Sequence, residues 1–128
     1  PLTSNDTTDD KPQPFILQND GNCLTDVNIS NSTNLWQKQS NPSDYFRFKV
    51  DNVSGEEQAF NSSGSATSWT QVPGITGGVI AISQLNKTDA RDSAEVDIYI
   101  EVPENEPPNI RNTTIWFESR LGETYPAA

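Results

Sequence analysis

The chain contains no histidine, no methionine and one cysteine, Cys23, among its 128 residues. Each absence removes some chemistry. Without histidine there is no Ser-His-Asp or Cys-His nucleophile and no imidazole to hold a metal. A lone cysteine cannot form an intrachain disulfide, so an extracellular chain of this kind draws its stability from packing, sugars or assembly. Positive charge is scarce as well: eight Lys and Arg stand against 18 Asp and Glu, a formal charge of −10. Such a surface repels phosphate backbones and anionic headgroups, which argues against a nucleic-acid partner. Long apolar runs are missing too. Gly78-Val79-Ile80-Ala81-Ile82 falls far short of the roughly 20 residues a spanning helix needs, and neither end carries a lipidation signature. The missing initiator Met agrees with an exported, processed chain.

What the chain does have is β pattern. Its length suits one domain, and no stretch sustains a helical period. In 94–102, Ala94, Val96, Ile98, Ile100 and Val102 alternate with Glu95, Asp97, Tyr99 and Glu101. Phe46, Phe48 and Val50 alternate with Tyr45, Arg47 and Lys49, and Ile115 and Phe117 with Thr114, Trp116 and Glu118. These read as half-buried antiparallel strands. Further strands are predicted at 15–18, 23–30, 57–60 and 78–83, which brings the count to seven or eight. The fold class that follows is all-β: a single antiparallel β-sandwich, Ig-like or jelly-roll-like, over 14–128. Segments 32–37 and 65–71 lack alternation and are predicted as single helical turns in crossing loops, with Trp36 and Trp69 folding back over the core. The sharper alternative makes either Trp a sugar-stacking platform. Cys23 shares the parity of Val27 and Ile29, which predicts a buried, inert thiol; an intermolecular disulfide is the alternative.

Residues 1–13 form an extended N-terminal arm whose only large apolar residue is Leu2. An arm this polar has no reason to order by itself, and a neighbouring subunit is the economical support.

Asn-x-Ser/Thr occurs at Asn5, Asn28, Asn31, Asn52, Asn61, Asn86 and Asn112, while Pro42 excludes Asn41. With 13 Asn and 25 Ser plus Thr, chance placement gives about two or three such sites. A glycan must leave the surface, so strand parity is an independent test. Asn28 is opposite in parity to Val27 and Ile29, and Asn112 to Ile115 and Phe117. Asn61, Asn86 and Asn52 fall at strand ends or in polar stretches. N-linked sugars are therefore the expected covalent additions, with an Asn/Ser/Thr-rich surface kept for solubility as the bland alternative. Asp89, Asp92, Glu95 and Asp97 cluster around a loop-to-strand junction, where extracellular calcium is a candidate ligand and a solvated acidic surface is the alternative. No carboxyl has the apolar flanks that would raise its pKa for glycosidase chemistry, and the chain reads as non-enzymatic.

The stretch Phe15-Ile-Leu-Gln-Asn-Asp-Gly-Asn-Cys-Leu-Thr-Asp-Val-Asn-Ile29 resembles the opening of Ig-like repeats in archaeal and bacterial cell-surface proteins. A second match runs from Ala94 to Phe117 through the turn Val102-Pro103-Glu104-Asn105-Glu106-Pro107-Pro108, where Asn109 stands in place of the usual glycine. A single sequon-rich domain of this sort is similar to subunits of archaeal extracellular filaments that polymerise by donor-strand exchange. The resemblance implies an extracellular, cell-surface location and homopolymer assembly, with Leu2, Phe15 and Leu17 as inter-subunit contacts. A different function class, an adhesin or carbohydrate-binding module using Trp36, Trp69 or Trp116, remains open on the same residues.

Overall fold

The computed structural model describes residues 4–9, 11–31, 33–40, 42–74 and 78–122. Eight strands follow one another: β1 (Ser4–Asp6), β2 (Phe15–Gln18), β3 (Thr25–Asn31), β4 (Phe46–Asn52), β5 (Thr70–Gln71), β6 (Val79–Leu85), β7 (Ser93–Glu101) and β8 (Ile115–Leu121). They form two antiparallel sheets. In sheet A, β7 is flanked on one side by β4 and then β5, and on the other by β1 and β2 in succession; sheet B runs β6-β3-β8. Period-two alternation drives this packing, since one face of each long strand is apolar and must meet the other sheet. Phe46, Phe48 and Val50 from β4, Ala94, Val96 and Ile98 from β7, Val27 and Ile29 from β3, and Ala81, Ile82 and Leu85 from β6 fill the space between. Phe48 is fully buried, and its truncation to Ala would cost about 3–5 kcal/mol. Among the described residues no helix is long and apolar enough to cross a membrane.

Local chemistry sets the strand ends. After β4 the chain turns through Gly55, whose φ of 86° suits glycine, and Glu56 N donates to Val53 O at 2.9 Å. Opposite Asp26 the β3–β6 ladder slips, Gln84 takes a positive φ of 55°, and its N–H donates to Asp26 Oδ1 at 2.9 Å. The long 103–113 connection is fastened by Glu106. Its two carboxylate oxygens accept the backbone N–H groups of Gln37 and Lys38, both at 3.0 Å, and Arg111 Nη2 lies 2.8 Å from Oε2. Burial opposes the charge on Glu106, but the two N–H donors and the guanidinium outweigh it and hold the carboxyl below its ordinary range.

Several expectations are corrected. Segment 57–60 is not a strand, because Gln58 adopts a φ of 62° and breaks the extended run while Ala59 inserts into the core. The helical turns fall at Ser62–Gly64 and Asp89–Arg91 instead of 32–37 and 65–71, and the latter segment supplies β5. Trp36 does fold over the core and donates Nε1–H to Tyr45 O at 3.3 Å. Trp69 does not: it lies on the outer face of sheet A against Tyr99 and Lys49. Cys23 precedes β3 and is half-buried, because the strand begins only at Thr25.

The described part of the arm joins its own sheet. Ser4–Asp6 pairs with residues 99–101 of β7 in its own chain, and Phe15–Gln18 with residues 93–96 of the same strand. Together β1 and β2 are one edge strand interrupted by a loop. Thr7 is buried where the first half ends: its N–H donates to Ile98 O at 3.1 Å, and its hydroxyl accepts from Ile98 N at 3.0 Å. Two ladder bonds thus continue at the break, one through a side chain. Leu2 lies outside the described residues.

Candidate assembly cleft and glycosylation sites

The edge formed by β1 and β2 and the edge strand of sheet B, β8, lie on the same side of the sandwich. They do not pair. Between them runs a cleft of about 430 Å³ lined by Phe15, Leu35, Phe46, Ile98, Ile100 and Ile115, with Asn5 and Asn112 at its rim. A second hollow of about 260 Å³ lies further along the same two edges, between Leu17 and Phe117, and reaches Val27 and Leu85. The rings of Phe15 and Phe117 meet edge to face at 5.5 Å and bridge the two sheets. Phe15 and Leu17 therefore pack against their own sandwich, where β2 is laddered to β7. The outer edge of β8 has no strand partner among the described residues. It offers unpaired backbone groups over seven residues beside an apolar trough.

The sequons separate clearly in three dimensions. Asn5, Asn52, Asn61 and Asn112 are exposed, and Asn86 is partly so, with its Oδ1 taking the backbone N–H groups of Lys87 and Thr88 at 2.7 and 3.1 Å. Asn28 stands on the outer face of sheet B. Asn31 is different: it is 1% exposed, and its Nδ2 donates to Thr33 O at 2.6 Å and to Thr113 Oγ1 at 3.3 Å. A sugar on that nitrogen would displace both bonds and the packing around them. The signal was in the sequence, because Asn31 shares the parity of Val27 and Ile29.

The acidic residues regroup as well. Asp89 sits exposed in its 3-10 turn. Asp92 is buried and takes part in a separate network, its N–H donating to Glu56 Oε1 at 3.0 Å and its O accepting from Asn19 N at 2.8 Å. Arg91 turns to Gln58 Oε1 at 3.3 Å. Glu95 and Asp97 instead meet Asp51 across the β4–β7 ladder, with carboxylate oxygens of all three within 4.8 Å of one another. Asp97 is 2% exposed and accepts the Thr7 hydroxyl at 2.7 Å. Burial raises its pKa, the Thr7 bond opposes this, and Asp51 adds to the rise. Three carboxylates on a strand pair could take a cation, yet Lys49 already lies 3.6 Å from Asp51. Trp116 is 45% exposed on the outer face of sheet B. Compared with family models, curated proteins and solved structures, the chain matches none.

Proposed function

We propose that the chain is a structural subunit of an extracellular, N-glycosylated filament or surface layer, joined copy to copy by strand addition. The observation that carries this reading is the open side of the sandwich, where the unpaired edge of β8 borders an apolar cleft. An extended segment from a neighbouring copy would pair its backbone with β8 and place alternate apolar side chains over Ile115 and Leu35. Asn52, Asn61, Asn86 and Asn112 in loops and at strand ends, with Asn5 exposed on the edge strand β1, are consistent with a sugar coat on the remaining surface. The role is non-enzymatic. Assembly by strand addition also answers the stability question raised by a chain with one thiol, because the added ladder closes an edge that packing leaves open.

Electron microscopy together with sedimentation of the secreted protein tests this, and repeating subunits are the expected result. Ser119 lines the second hollow on β8 and is exposed, so Ser119→Lys places a charge in the trough without removing a core side chain. It is expected to abolish assembly while changing the thermal midpoint of the single subunit by no more than about 2 °C. A parent protein that stays monomeric at every concentration would remove the proposal.

A further inference from the structure

The outer face of sheet B contains a feature that strand addition does not use. In the ladder of three strands, Asn28 on β3 faces Ile80 on β6 and Glu118 on β8, while Trp116 stands opposite Ser30, one diagonal step from Asn28. Diagonal neighbours on one face are about 7–8 Å apart, within reach of an indole. Ile80 and Trp116 are 47% and 45% exposed, so this small face shows a large part of two big apolar side chains to solvent. Asn28 itself is anomalous. Its Oδ1 is shielded from solvent and has no hydrogen-bond partner among the described residues, and none of them accepts from its Nδ2. A shielded amide oxygen without a donor normally costs about 1–3 kcal/mol, and native structures supply the donor from somewhere.

We infer that Asn28 is a structural glycosylation site whose first sugar lies on Trp116 and Ile80 and supplies the donor that Oδ1 lacks. This rests on the extracellular, glycosylated reading above. The transfer joins Nδ2 to the anomeric carbon of a sugar activated as a phosphate or diphosphate ester. The carbon–oxygen bond to phosphate breaks, the phosphate leaves with the electron pair, and the amide nitrogen gives up one proton to base. The product is a pyranose whose apolar C–H face can cover the indole. A hydroxyl or acetamido N–H on its second carbon, next to the linkage, comes within reach of Oδ1. The sugar on Asn28 therefore acts as a packing group. Those on Asn52, Asn61 and Asn112 start from exposed positions. Asn31, only three residues along the same strand, is the internal control: its Oδ1 also lacks a donor among the described residues, but it is buried and its Nδ2 is already engaged, so what sets Asn28 apart is a free Nδ2 on an open face.

Site-resolved mass spectrometry of the secreted protein should find Asn28 occupied and Asn31 bare. Ser30→Ala removes the sequon and leaves Asn28 in place; it is expected to lower the thermal midpoint of the glycosylated protein by about 3–5 °C and to do nothing to protein made without sugars. Trp116→Ala should abolish that difference, and Trp116→Phe should retain most of it. In the glycosylated protein, Trp116 should also be protected from acrylamide quenching in a way that Ser30→Ala relieves. Asn28 bare while Asn52, Asn61 and Asn112 carry sugar would overturn this inference alone. All sequons bare would overturn both it and the glycosylated coat. Asn28 occupied, with Ser30→Ala changing neither stability nor quenching, would make the sugar an ordinary surface addition and overturn the packing role. Concentration-dependent association through Trp116 in the sugar-free and glycosylated forms alike would assign the face to a second copy and overturn it as well.

Discussion

The two outward faces of the sandwich arise from the same alternation, but the aromatic and ionic contacts concentrate on one of them, where only the shielded Arg47 Nε lacks a partner among the described residues. On sheet A, Arg47 lies over the Tyr99 ring at 4.4 Å and Lys49 over Trp69 at 5.1 Å, and the two rings meet at 5.6 Å. Next to them Asp51, Glu95 and Asp97 gather around Lys49 and the Thr7 hydroxyl. On sheet B Arg120 pairs with Glu118 at 3.1 Å, two side chains more than 60% exposed, and a pair of that kind contributes little. Trp116 and Ile80 stand open there, and Asn28 keeps a shielded oxygen without a donor. A face whose large side chains cover one another has little apolar surface left for a partner. A face that leaves them open is where a covalent addition gains most.

The comparison breaks most readily at Thr7. Thr7→Val keeps the shape but leaves Ile98 N–H without its acceptor and Asp97 without its donor, both in buried surroundings. A loss of about 2 kcal/mol in urea unfolding is expected, with Thr7→Ser restoring most of it. A silent Thr7→Val would mean that sheet A is closed by its aromatic and ionic contacts alone. Next in size is Tyr99→Ala, which removes both the Arg47 contact and the ring packing of Trp69. It should cost about 1–2 kcal/mol and shift Trp emission to longer wavelength. The same truncation at Trp116 in sugar-free protein should stay within about 0.5 kcal/mol, since nothing on that face depends on it.

The central strands were legible because they obey a two-residue period over seven or nine positions: Phe46, Phe48 and Val50, or Ala94, Val96 and Ile98, can be buried on one face only. Short elements were not. Ser4–Asp6 carries no apolar residue to betray it and exists because β7 has an open ladder for it to join, which is a tertiary cause. Thr70–Gln71 is likewise defined by β4. Parity also misled where a neighbour covers an outward position: Asp97 should be wet by alternation, but the arm returns and places Thr7 on it. The exposed loop sequons could be read from sequence. The cleft could not, because it depends on how the β1–β2 edge and the β8 edge are spaced, and no local pattern encodes that distance.

The last effect has the opposite sign and tests how settled the carboxylates of sheet A are. Asp97 lies beside Asp51 and Glu95, with Lys49 as the cation near Asp51 and Thr7 as the donor. Burial, opposed by the Thr7 bond and reinforced by Asp51, holds its pKa above the ordinary aspartate value of 3.8. Between that value and the raised one, the folded protein binds the proton more tightly than the unfolded chain does. The contribution of this group to stability therefore falls as pH rises through the window and is recovered on acidification. Asp97→Asn keeps an oxygen for Thr7 and removes the charge, so it should stabilise the subunit at pH 7 by less than the Tyr99 truncation costs. The gain over the parent should shrink as the pH is lowered toward 3.8, where the parent is itself increasingly protonated at this position. Urea midpoints of the two proteins across that range give the answer directly. A difference that stays constant with pH would show that Asp97 is not held protonated more tightly in the fold, and that the three carboxylates are as settled as the aromatic ladder beside them.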